Sequence, residues 1–124
     1  MRKIEFRAKS LKGEWIKGSY VDRGTLGSYI VRNGVFDVVP VDPKTRGENT
    51  GLTVKNDEEL FEGDIVDYKG KIAVVVWDED NACFRLHANF YKQFIQQFSE
   101  CEDIIIVGNV HDNLEEFEER IMRF

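Results

Sequence analysis

The sequence predicts a mainly β protein of the α+β class, a small antiparallel sheet core followed by a C-terminal helix. Three observations carry this. Residues 61–86 (FEGDIVDYKGKIAVVVWDEDNACFRL) alternate short apolar runs with polar turns, the pattern of a meander. Residues 28–32 and 35–41 flank Asn33-Gly34, the dipeptide that best accepts the positive φ angles of a type I′ hairpin turn. Leu114, Phe117, Ile121 and Phe124 recur at helical spacing near the end of the chain.

Taken in order, residues 2–8 (RKIEFRA) set Ile4 and Phe6 on one face and Lys3, Glu5 and Arg7 on the other, the period of a half-buried strand. Lys12-Gly13 turns the chain, and residues 14–21 (EWIKGSYV) return beside it, with Gly18 marking a bulge or a close backbone approach. After the Asn33-Gly34 hairpin, Pro40 and Pro43 remove backbone donors. Regular pairing is therefore expected to end there, leaving residues 42–50 (DPKTRGENT) as an exposed, mobile excursion.

Residues 56–59 form another turn, and Glu62-Gly63-Asp64 leads into a strand at 65–68 that Lys69-Gly70 reverses into 71–77 (KIAVVVW). In that strand both alternating sets, Ile72/Val74/Val76 and Ala73/Val75/Trp77, are apolar, which predicts burial on both faces. The DEDN turn at 78–81 returns the chain as a strand at 82–87, with Phe84 and Leu86 opposite Cys83, Arg85 and His87.

Phe90, Tyr91, Phe94, Ile95 and Phe98 fit a helical stripe better than alternation, so a short helix is expected near 89–98. Residues 103–108 (DIIIVG) lack a polar face and are expected at the centre of a sheet or beneath the terminal helix. Asn113 can cap that helix, Glu116 completes a capping-box spacing, and Glu115, Glu116, Glu118 and Glu119 favour its first turns through the helix dipole. With no internal repeat or linker, residues 1–124 read as a single domain.

Composition narrows the function. A chain of 124 residues with 42% apolar side chains can build a core without a disulfide or metal staple. The longest apolar runs fall well short of the roughly 18 residues of a membrane span, and the charged alternation after Met1 is not a signal peptide, so a cytoplasmic protein without membrane partners is expected. Cys83 and Cys101 are too few for a disulfide framework and read as reduced, packed thiols. The net charge of −6 hides an asymmetry. Residues 1–32 hold eight Lys/Arg against three Asp/Glu, and residues 33–124 hold nine against twenty. If contiguous in space, such a basic edge suits head-to-tail self-association or a modest polyanion contact; if dispersed, it is a solvated surface.

Candidate chemistry is sparse. Cys83, His87, Cys101 and His111 are the only soft metal ligands, and zinc needs such donors within about 2.3 Å of the ion. On one extended strand Cys83 and His87 stand about 13 Å apart, so no zinc site is expected. Glu62, Asp64, Asp78, Glu79 and Asp80 supply carboxylates suited to a divalent cation or to acid–base work, but each sits at a turn, where Asp and Asn bond their own backbone. His87 and His111 lack a nucleophile in a recognisable setting, and no phosphate-binding glycine pattern occurs. Trp15, Trp77, Tyr20, Tyr29 and Tyr91 could line an aromatic groove or fill the core. The acidic balance disfavours nucleic acid unless the N-terminal cations gather on one face. No catalytic, cofactor-binding or metal-binding residue is assigned.

Several short pieces, in order, resemble the YopX family of bacteriophage and prophage proteins: Arg7-Ala8-Lys9-Ser10 with Gly13-Glu14-Trp15, Thr50-Gly51-Leu52, Glu62-Gly63-Asp64-Ile65-Val66, Val76-Trp77-Asp78 and Val107-Gly108-Asn109. The similarity spans nearly the whole chain. It implies a small β-rich protein with an SH3-like barrel as its central element, working in a bacterial host cell, and it implies no assigned activity or cofactor. Two departures are local. Asn56-Asp57 stands where the family usually has Asn-Gly, and Asp112-Asn113-Leu114 stands where Glu-Asn-Pro is typical. The reading that follows is a non-enzymatic accessory module that forms a homo-oligomer and contacts a host or phage protein, because two strands without a polar face exceed what a small barrel can bury. The alternatives are a divalent-metal enzyme of nucleic acids or nucleotides using Asp64, Asp78 and Asp80, and an acidic mimic of nucleic acid that occupies a host protein's site.

Overall fold

The computed structural model describes residues 4–32, 37–88, 91–94 and 103–122, with positions 91–94 and 119–122 as backbone. The fold is mainly β, two antiparallel sheets and a short C-terminal helix, and the chain falls into two compact units, Met1–Asn49 and Thr50–Phe124.

In the first unit, β1 (Phe6–Lys9), β2 (Trp15–Asp22), β3 (Ser28–Arg32), β4 (Asp37–Val41) and the start of β5 (Gly47–Thr53) lie in the order β4-β3-β2-β1-β5. Alternation decides the two faces. Ala8 pairs with Ile16, and Tyr20 with Ile30 and Ile30 with Val39, so these side chains share the inner face with Val41 and form the core of the unit. Ser10 bridges to Val41, which draws the end of β1 to the end of β4 and curls the sheet around that core.

The second unit holds the later residues of β5 beside β6 (Glu59–Phe61), then β7 (Asp64–Tyr68), β8 (Lys71–Asp78), β9 (Cys83–Ala88), β10 (Tyr91–Phe94), β11 (Ile104–Asn109) and α1 (Leu114–Met122). Strands β7 to β10 form a meander, and β11 returns to pair with β7, giving the order β10-β9-β8-β7-β11. Ala73 and Val75 of β8 join Leu60, Val66, Leu86 and Ile104 in the main core. Each of these larger side chains contributes about 1.5–3 kcal/mol by leaving water. Ile72 faces the other way, with Ile65, Val74 and Phe117 of α1. The two apolar sets of β8 thus serve two layers, as its sequence predicts, except that Trp77 is exposed at the strand end, edge-on to Phe84 at 5.0 Å between ring centroids.

Several expectations need correction. The first strand begins at Phe6, and Ile4 is 76% exposed; Phe6 packs instead on Tyr20, centroids 5.8 Å apart. Pro40 does not end pairing. It sits within β4 opposite Tyr29, and β4 is an edge strand, where a missing N–H leaves no ladder bond unmade. Residues 42–50 are not a mobile excursion. Asp42 Oδ1 accepts the Lys44 N–H, Pro43 starts a 3₁₀ turn, and the buried Thr45 Oγ1 accepts the Lys9 N–H at 2.7 Å and donates to the Asp42 carbonyl. The chain then enters β5 directly, with Gly47 opposite Arg7 and Glu48 opposite Phe6.

Where a helix is expected near 89–98, Tyr91–Phe94 is instead a strand paired with β9, Tyr91 opposite Ala88; backbone pairing to an adjacent strand overrides an aromatic stripe of one turn. The rest of that segment, Cys101 and the Asn33-Gly34 turn lie outside the described residues, although the strands flanking the turn pair as expected through Arg32 and Asp37. Finally, β11 is an edge strand rather than a central one: Ile104 is buried, Ile105 is 42% exposed and Val107 is exposed.

Candidate functional site

The turns account for most of the sequence pieces singled out above. Ser10 Oγ accepts the Lys12 and Glu14 N–H groups and so shapes the β1–β2 turn. Thr50 Oγ1 donates to the Leu60 carbonyl at 2.8 Å. Buried Asp64 accepts the Phe61 N–H at 2.8 Å, and the neighbouring Gly63 bonds the Val75 carbonyl and the Val110 N–H. Asn109 Oδ1 accepts the His111 and Asp112 N–H groups, and Asn113 links that turn to α1 by accepting the Asn109 N–H and donating to Glu116. This last arrangement departs from a capping box, because the Asn113 oxygen serves Asn109 instead of the helix.

The carboxylates considered for catalysis are likewise distributed among separate tasks. Asp64 holds its own turn. Asp78 accepts from the Asn81 N–H and from Arg85 Nε at 3.0 Å, in an ion pair whose side chains are 7% and 19% exposed. Among the described residues, no three His, Cys, Asp or Glu side chains converge as a cation site would require. Cys83 is buried and free, His87 sits on the same strand, and His111 is exposed in the turn before α1. Arg85 Nη1 lies 2.7 Å from His87 Nδ1. A guanidinium can only donate, so Nδ1 accepts and the neutral ring carries its proton on Nε2. Partial burial and then the Arg85 charge hold the His87 pKa below its ordinary value.

The predicted aromatic groove does not form as a single feature. Tyr20 turns to the inner face, where Arg46 stacks on it at 5.0 Å, Trp77 belongs to the second unit, and the Tyr91 side chain lies outside what is described. Trp15 and Tyr29 do share a surface, the outer face of the first sheet. Register sets what else lies on it: Lys9 opposite Trp15, Arg7 opposite Lys17, Ser19 opposite Val31 and Val31 opposite Val38, Val21 opposite Tyr29 and Tyr29 opposite Pro40. One half is basic and aromatic, with the Arg7 guanidinium 4.8 Å and the Lys9 ammonium 5.4 Å from the Trp15 ring centroid.

The other half is apolar. Val21, Tyr29, Val31 and Val38, with Arg23, line a shallow cleft of about 210 Å³, and Val38 is 47% exposed. The Tyr29 hydroxyl donates to the Leu26 carbonyl at 2.6 Å, which holds the ring in the cleft wall. Three of the N-terminal cations, Arg7, Lys9 and Lys17, therefore share one face, which meets in part the condition left open by the sequence. The apolar cleft itself was missed, although Val21, Tyr29, Val31 and Val38 all occupy the outward phase of their strands, a signal readable once the hairpin register is known.

A family model described as YopX protein matches residues 2–118. The chain belongs to the YopX family. The match spans both structural units, and a comparison with curated proteins finds no match. Among the family-like pieces of this YopX chain, the Arg7, Lys9 and Trp15 side chains meet on the outer face of a sheet, whereas Ile65 and Val66 are buried in the core. No helix among the described residues is long and apolar enough to cross a membrane.

Proposed function

We propose that this YopX-family protein is a phage or prophage accessory module, acting in the bacterial cytoplasm without catalysis, whose 124 residues work as one unit and whose outer N-terminal sheet face binds protein, beginning with copies of itself. The observation that carries this reading is the pairing of exposed Val21 and Val38 and half-buried Val31 with Trp15, Tyr29 and a row of cations on one outward face. Aromatic and guanidinium groups around a small apolar centre are the composition of contact surfaces, and an outward β-branched cluster has no role in the unit's own core.

The second unit supports the finer structural reading of an SH3-like centre. Its fifth strand turns back to pair with the first of a four-strand meander, the arrangement from which such a small barrel is built.

Light scattering at micromolar concentration tests the functional reading. The wild type is expected to run as an oligomer and Val38→Asp as a monomer with an unchanged circular dichroism spectrum, since Val38 is already half in water. A wild type that remains monomeric overturns it.

A further inference from the structure

The two units carry opposite charge. Residues 1–49 hold ten Lys/Arg against six Asp/Glu, and residues 50–124 hold seven against seventeen. Pairing the basic face with itself brings like charges together, and so does pairing two acidic units; only a contact between unlike units neutralises both. The cleft specifies the contact further. Four apolar walls beside one guanidinium, Arg23, fit an apolar side chain flanked by carboxylate.

Helix α1 presents such a group. Phe117 turns inward to Ile65 and Ile72; Leu114, three residues before it, lies about 60° away on the flank of that face and is still 41% exposed, and Glu118 and Glu115, both exposed, follow it around to the outward side of the helix. A leucine stripe position facing water is itself unexplained by the packing of the unit.

Building on the self-association reading, we infer that the occupant of the outer-face cleft is α1 of a second copy, with Leu114 entering between Val21, Tyr29, Val31 and Val38 and the Glu115 and Glu118 carboxylates meeting Arg23 and the basic half of the face. The contact joins two different patches: made reciprocally, each copy giving one helix and one face, it yields a two-fold dimer, and made head to tail it yields a ring or a filament. Reciprocity doubles the area of a single helix contact towards the roughly 1,200–2,000 Å² of a stable interface.

A charge swap tests it by sedimentation velocity. One variant carries Lys17→Glu with Arg23→Glu, the other Glu115→Arg with Glu118→Arg; all four positions are exposed, and circular dichroism checks that each variant folds. Each alone is expected to lose self-association by about tenfold or more, and the equimolar mixture to regain it, because each variant's altered surface now complements the other's. Leu114→Ser should disperse the wild type without loss of fold. If Val38→Asp disperses the protein while both swaps assemble like the wild type, or if both swaps disperse and the mixture does not recover, the docking of α1 is wrong and the self-association reading stands. A wild type that is monomeric throughout overturns both.

Discussion

Ala82 closes the β8–β9 turn at φ 51°, and Asn56 and Asp57 sit at φ 69° and 59° before β6, all in the left-handed region. Asparagine tolerates that conformation through its side chain, but a β-carbon generally costs about 1 kcal/mol or more there. Ala82→Gly and Asp57→Gly should each stabilise the fold by about 0.5 kcal/mol, the remainder being lost to the freer unfolded glycine, and urea midpoints will show it. This also gives the Asn56-Asp57 departure a physical meaning: the family's usual Asn-Gly suits the backbone better than the residue present here. His87 supplies a pH signature. Its folded pKa lies below the unfolded one, so the unfolded chain takes up a proton first and stability falls as the pH drops through the ordinary histidine range near about 6.5. His87→Gln should flatten that part of a stability profile measured by thermal melting between neutral and mildly acidic pH, and an unchanged slope would place its origin elsewhere.

At the scale of elements, Gly18 explains how β2 and β3 approach. An added β-carbon would lie 2.4 Å from the Val31 carbonyl oxygen and 2.9 Å from Ile30 Cγ2, and the first of these is backbone that cannot swing aside. Gly18→Ala should destabilise the first unit by about 1–3 kcal/mol through overpacking, read as a shift in denaturant midpoint. Gly108 is under a similar constraint from Asn113, whose Oδ1 would stand 2.7 Å from the new carbon. Gly18 was legible as a break in a strand pattern and Gly108 was not, whereas the meander from β7 to β9 was legible because turns and alternation agree along it. Strand β10 was not, since the three-residue spacing of Tyr91 and Phe94 is that of a helix face, and the pairing with β9 that makes the segment a strand is not written in that spacing. Nor was the edge position of β11: an unbroken β-branched run records a preference for extended backbone, and exposure of Ile105 follows from a chain order that the run does not contain. Residues 42–50 escaped because their order rests on one buried hydroxyl, Thr45, bonded to Lys9, thirty-six residues away.

For the whole molecule, the charge asymmetry was visible in the amino-acid order, but its coincidence with two structural units was not, and it is the units that give it consequence. The N-terminal excess of cations was legible, but that Arg7, Lys9 and Lys17 share a face required the β1–β2 register, and the cleft beside them required the pairing of Val31 with Val38 across the β3–β4 hairpin. A second exposed apolar surface, Ile105 and Val107 on β11, offers the direct comparison. Sedimentation velocity on the wild type, Val31→Asp with Val38→Asp, and Ile105→Asp therefore decides which face holds copies together. The account predicts that the paired valine substitutions yield monomer while Ile105→Asp sediments like the wild type; dispersal by Ile105→Asp, with the valine variant still assembled, contradicts it.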